Sequence, residues 1–377
     1  MLIPIVLAAA FMNAAMIAAS AVSTILVSDR LSPGLAGLPN TAAVLGTAAG
    51  ALAVGRWTDR LGRAQALRIG YGVAVAGAAL TVLTAIGAHV ALLFVGMLLV
   101  GVGNAAALLS RYAAADAVPA ARRASAMSAV VWAGTVGAVA GPFLMAPSQS
   151  LAAGIGLPGV AGPFLLAVAA VFAALVASTH IRVVSPTQAS VRDRRDGSPA
   201  SRRTTVLLAA GVMVVGQLVM VALMSAVPVH AHGLGDGLGV LGVMLSAHTF
   251  GMFALAPLTG WWIDRSGPRP VVLTGLALLP VSAVLTTQTG FVFTPALLLL
   301  GYAWNLCYLG GSAQLPTADL ESKVESFIWG ASALATATSP WLYTLGGFAL
   351  LTVVAAVLAV PLLLLLVRRS APRVMSP

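Results

Sequence analysis

These 377 residues hold ten acidic side chains, five histidines and one cysteine. They assemble no catalytic set, which would need paired carboxylates or a His/Asp cluster. The lone Cys307 has no internal partner for a disulfide. No carboxylate lies near the middle of any long apolar stretch, but one ionisable group does: His248, twelve residues before Gly260. A histidine at that depth either rests neutral and takes up a proton when water reaches it, or stays neutral and bonds a backbone carbonyl. Both readings stand, and His248 is the candidate proton-coupling residue. His230, His232 and Asp236 share a polar stretch among glycines, and no metal site is expected there.

The remaining chemistry is neutral. Four of the ten amides, Asn13, Asn104, Gln217 and Asn305, fall near the centres of apolar runs. Tyr302, Trp304 and Tyr308 flank Asn305, while Trp132 and Trp329 sit on two other runs. Amides beside aromatic faces suit a neutral or weakly charged organic solute, held by a few hydrogen bonds and ring contacts. Each amide can equally tie one helix to another. No catalytic residue, no cofactor and no enzymatic activity are expected.

The elements that must position these groups are apolar. Hydrophobic residues make up 59% of the chain and charged residues 8%, far below the ~25% charge of soluble domains. Twelve runs are long enough to span a bilayer as helices: 2–27, 40–55, 68–87, 89–112, 125–146, 159–178, 205–229, 238–262, 270–289, 291–313, 325–344 and 346–367. Hydrocarbon offers no hydrogen-bond partners, so continuous helices satisfy these backbones. The first run lacks a basic leader and is too long for a signal-peptide core, so it reads as a retained helix.

With the start of the chain placed in the cytoplasm, 19 of the 20 basic residues fall on cytoplasmic loops and only Arg30 falls outside. This positive-inside asymmetry predicts a multi-pass protein of the plasma or inner membrane with both termini cytoplasmic. The formal charge of +10 is thus a topological device, and no nucleic-acid partner is expected.

The longest hydrophilic stretch, 179–204, has linker chemistry and predicts two bundles of six helices, 1–178 and 205–377. The halves echo one another. Gly55-Arg56-Trp57-Thr58-Asp59-Arg60-Leu61-Gly62-Arg63 and Gly260-Trp261-Trp262-Ile263-Asp264-Arg265-Ser266-Gly267 both read G-x-x-x-D-R-x-G, offset by 205 residues. Asn104 is echoed by Asn305, and Trp132 to Pro142 by Trp329 to Pro340, at offsets of 201 and 197–198. Gly101-Val102-Gly103-Asn104-Ala105-Ala106 imitates a dinucleotide fingerprint, but it lies inside an apolar helix with no preceding strand and is rejected.

Over essentially its whole length the chain resembles the major facilitator superfamily, whose most specific motif is similar to Gly55–Arg63, with a degenerate copy where Gly260–Gly267 stands. The resemblance implies an all-α fold of twelve transmembrane helices in two pseudo-symmetric six-helix bundles. It implies a central cavity lined by the first, fourth, seventh and tenth helices, those carrying the four central amides. It also sets the loop after the second helix beside the start of the eleventh, near Asp319, Glu321 and Glu325. There Gly55, Asp59, Arg60, Gly62 and Arg63, with Gly260, Asp264, Arg265 and Gly267 in the second copy, are expected to form a cytoplasmic gate. In it Asp59 faces a helix N-terminus and the arginines pair with the acidic residues. Gly134, Gly137, Gly141 and Pro142 resemble the glycine–proline motif of antiporter subgroups, with Phe143-Leu144 where glycines usually follow and Met97 where those subgroups carry arginine. Arg111 is expected to reach headgroups or water, or to line an inner vestibule.

These readings converge on secondary transport of a small organic solute by alternating access. Proton-coupled efflux is one form; uncoupled facilitation or nutrient uptake is the other, and a non-transporting receptor is a remote third. The expected partners are a small-molecule substrate, protons and the lipid bilayer, with the chain acting as a monomer.

Overall fold

The computed structural model describes residues 2–32, 35–181, 199–233, 238–288 and 290–369. Among them the chain is helical, with no strand. The first six helices are α1 (Ile3–Arg30), α2 (Leu38–Leu61), α3 (Arg63–Ala85), α4 (Ala91–Asp116), α5 (Arg123–Gly154) and α6 (Ala161–Thr179). They are followed by α7 (Pro199–Gly233), α8 (Leu238–Thr249), a π-turn at Phe250–Ala254, and α9 (Ala256–Ser266). The last three are α10 (Pro268–Leu285), α11 (Phe293–Ser312) and α12 (Ala318–Arg368). The eighth apolar run is therefore α8, the π-turn and α9 together. The eleventh and twelfth runs are the two arms of α12, broken where Gly346 and Gly347 leave helical geometry, Gly347 at φ 58°. Ten helices among the described residues are long and apolar enough to cross a bilayer.

The repeated motif makes the same turn twice. Helix α2 continues through Leu61, and Gly62 alone, at φ 85°, separates it from α3. Gly267, at φ 79°, does the same between α9 and α10. Only glycine enters that region without steric cost. The Asp–Arg pairs of both copies therefore lie on a last helical turn, not in a loop.

The chain divides into two compact units. One comprises Met1–Arg195 with Pro316–Ala333, the other Asp196–Leu315 with Leu334–Pro377. The start of the eleventh run thus groups with the first six helices, although by chain order it belongs to the second half.

Within the first unit, small residues let helices close to backbone contact. A methyl group on Gly46 of α2 would strike the Leu98 carbonyl of α4, and one on Gly137 of α5 would press on Ala10, Asn13 and Ala14 of α1. Arginines finish the helix ends. Arg68, on α3, donates to the carbonyls of Ser178, Thr179 and Ile181 at 3.1–3.3 Å, closing the end of α6. In the second unit Arg269, on α10, donates to Leu366 O near the end of α12 at 3.2 Å. A guanidinium there satisfies orphan carbonyls and opposes the negative end of the helix dipole.

Candidate functional site

In the first unit Arg63 of α3, Arg111 and Asp116 of α4, and Glu321 and Glu325 of α12 form a largely buried network. Arg63 opens α3 directly after the Gly62 turn, which aims it at two acids. Its Nε lies 3.2 Å from Asp116 Oδ2, and its Nη1 lies 2.8 Å from Glu321 Oε2, an ion pair without hydrogen-bond alignment. Burial pushes the Glu321 carboxyl above the ordinary carboxylate range, against the opposing pull of the Arg63 and Arg111 guanidiniums. Lys323 and Asp319 form a separate exposed pair at 2.7 Å.

One turn further along α12, Glu325 accepts Arg111 Nη2 at 2.6 Å and Trp329 Nε1 at 3.2 Å, so both its oxygens have a donor. Arg111 also donates to Tyr112 OH at 2.9 Å and to Leu108 O at 2.6 Å. Its Cζ lies 4.4 Å from the Tyr112 ring centre. This corrects the sequence expectation for Arg111: the side chain is 1% exposed and reaches neither headgroups nor water. A buried carboxylate on the facing helix end supplies the countercharge that burial of a guanidinium requires.

The other members of the expected gate separate. Gly55 is buried against Ser322, whose hydroxyl leaves no room for a side chain on Gly55. Asp59 and Arg60 stand exposed on the last turn of α2 and form no hydrogen bond or ion pair among the described residues. In the second copy Gly260 is buried and Asp264 half-buried. Arg265 is exposed and lies over the Trp261 ring at 5.7 Å.

The central amides each find a partner inside their own unit. In the first, Asn13 Nδ2 donates to Gly134 O on α5 at 2.6 Å, and Asn104 Nδ2 to Thr47 Oγ1 on α2 at 3.2 Å. Trp132 is 42% exposed, whereas Trp329 is engaged with Glu325. In the second unit, Trp304 Nε1 donates to Gln217 Oε1 on α7 at 2.6 Å. Tyr308 stacks on Trp304 at 4.7 Å between ring centres, and Phe253 meets it edge-on at 6.0 Å. Asn305 is fully buried; it accepts from Thr259 Oγ1 at 2.7 Å and donates to Met252 O at 2.6 Å. Tyr302 is half-buried. His248, 4% exposed, bonds Leu297 O through Nδ1 at 3.0 Å. A carbonyl can only accept, so Nδ1 carries the proton.

Sequence reasoning overlooked Thr47, Thr259, Met252 and the Arg111–Glu325 pair. Glu325 was identifiable only as an acid near a helix start, and threonines are unremarkable on apolar helices. Among the described residues no three His, Cys, Asp or Glu side chains gather as metal ligands. His230 bonds the Tyr343 hydroxyl at 2.9 Å; the side chain of His232, and Asp236, lie outside the described residues.

Comparison with known proteins agrees with this architecture. The family model described as Major Facilitator Superfamily matches residues 5–238. An uncharacterised MFS-type transporter of Bacillus subtilis (strain 168), YddS, is 32% identical over 310 residues, covering 78% of this chain and 71% of the relative. The riboflavin transporter RfnT of Brucella anthropi is 29% identical over 309 residues, covering 77% and 74%. Among solved structures, the transporter FucP in its outward conformation shares the fold at a TM-score of 0.73 and 15% identity, covering 98% of this chain and 99% of that one. These matches account for the apolar helices, the repeated G-x-x-x-D-R-x-G turn and the absence of any catalytic set among the described residues: the chain belongs to the Major Facilitator Superfamily, a family of multi-pass membrane transporters.

Proposed function

We propose that this chain is a secondary transporter that moves a small, neutral or weakly charged organic solute by alternating access. The observation that carries this reading is the Gln217–Trp304–Tyr308 group, where an amide and two stacked rings share one buried site. All ten acidic residues of the chain lie towards segment ends or in loops, so recognition at mid-depth falls to amides, hydroxyls and rings. Tyr302, Asn13, Asn104, Asn305 and Trp132 complete the proposed solute-handling set, the buried asparagines by holding helices in place. A planar heteroaromatic solute fits such groups best, and the similarity to a riboflavin transporter supports that choice.

The Arg63–Glu321 and Arg111–Glu325 pairs serve, in this reading, as a cytoplasmic latch that breaks and reforms during the cycle. The chain works as a monomer in the plasma or inner membrane with both termini cytoplasmic, as the placement of its arginines supports. Coupling follows one of two routes. Proton-coupled export would use His248; the hydrogen bond of His248 to Leu297 O favours the second route, transport without proton coupling.

Thermal stabilisation of the purified protein across a metabolite library that includes flavins tests the reading. A planar heteroaromatic compound should raise the melting temperature and then be taken up by proteoliposomes. Stabilisation by sugars or cations alone would overturn the proposed substrate class.

A further inference from the structure

The eighth apolar run departs from α geometry in one place, the π-turn Phe250–Ala254 between α8 and α9. A π-turn takes one more residue per turn than an α-helix, and single π-turns bend helices and recur at functional sites. This one is fastened to α11 at two points. Before it, His248 bonds Leu297 O at 3.0 Å. Within it, Met252 O accepts Asn305 Nδ2 at 2.6 Å. Between these two ties the backbones touch: a methyl group on Gly251 would strike Leu298 O, and one on Gly301 would strike His248 O.

The far side of Asn305 continues the chain of bonds. Asn305 Oδ1 accepts from Thr259 Oγ1 at 2.7 Å. Donation therefore runs from Thr259 to Asn305, whose amide closes on Met252 O inside the π-turn. Thr259 and Asn305 are fully buried.

We propose that the π-turn Phe250–Ala254 is the hinge of the eighth segment, and that Thr259 and Asn305 are positioning residues that hold it against α11. The effect on turnover rests on the transport reading above; the hinge does not.

Deleting Phe250, which is 50% exposed, removes the extra residue and lets the segment close as a continuous α-helix with both flanks in register. Backbone hydrogen exchange over residues 248–259 of the purified protein reads the hinge without any substrate. The wild type should exchange faster across 250–255 than across α9, and the deletion should slow it about tenfold. The deletion should also lower turnover about tenfold while KM moves less than about twofold. Thr259→Val, which keeps shape and loses the hydroxyl, should speed exchange, and Thr259→Ser should restore it. Exchange unaltered by the deletion, full turnover in the deleted protein, or identical behaviour of the two Thr259 variants would each overturn the proposal. If the deletion does not fold, the Thr259 pair decides alone. The expected exchange pattern in a protein that moves no solute upholds the hinge and removes only the transport reading.

Discussion

The Arg111 guanidinium meets the Glu325 carboxylate at 2.6 Å, with the two side chains 1% and 0% exposed. Neither residue could occupy that position without the other, because each ion alone would face a desolvation cost of several kcal/mol. Glu325→Gln should therefore destabilise the protein by ~3–5 kcal/mol, while replacing both residues by apolar ones of similar volume, Arg111→Met with Glu325→Leu, should recover most of it. Melting temperatures in detergent check this; equal losses in the single and double variants would show that the pair is not a unit.

Arg63 should be the effective cation of the first motif. It pairs with Glu321 and Asp116, whereas Arg60 is exposed. A double-mutant cycle on Arg63→Gln and Glu321→Gln should give a coupling of ~1 kcal/mol. Arg60→Gln should show none with Glu321, and transport should fall more for Arg63→Gln than for Arg60→Gln.

Asp59 separates gate from scaffold. Its carboxylate is exposed, so Asp59→Asn should leave the melting temperature unchanged. If the motif biases the transport cycle, uptake in proteoliposomes drops severalfold; unchanged uptake would reduce Asp59 to a surface charge.

His248→Gln keeps a donor for Leu297 O but cannot titrate. With the histidine acting as a neutral tie, the substitution should alter neither stability nor the response of uptake to an imposed pH gradient. Loss of a gradient response present in the wild type would make His248 the coupling group instead.

Cysteines placed singly at Ser198 and Gly235, in a Cys307→Ala background, should react with an impermeant reagent from opposite sides of the membrane. Labelling of both from outside would reverse the proposed orientation.

The sequence by itself determined the class of molecule and its repeat. An apolar run of bilayer length is a local property, and the requirement that every backbone group be bonded in lipid turns such a run into a helix with no help from its neighbours. The breaks at Gly62 and Gly267 were legible for the same reason, since backbone freedom belongs to the residue, whereas the break at Gly346-Gly347 falls inside the run read as 346–367. Partners were not local. Which face of α4 meets α12 decides whether Arg111 ends in water or against Glu325, and nothing within ten residues of Arg111 records that choice. The same holds for Asn305: its amide was visible, but Thr259 and Met252 became its partners only because Gly251 and Gly301 let two backbones touch. The π-turn itself has no sequence signature here; its tie, Asn305 Nδ2 to Met252 O, comes from another helix. Tertiary packing therefore decided what the polar groups do, through contacts whose energies exist only once the helices are assembled.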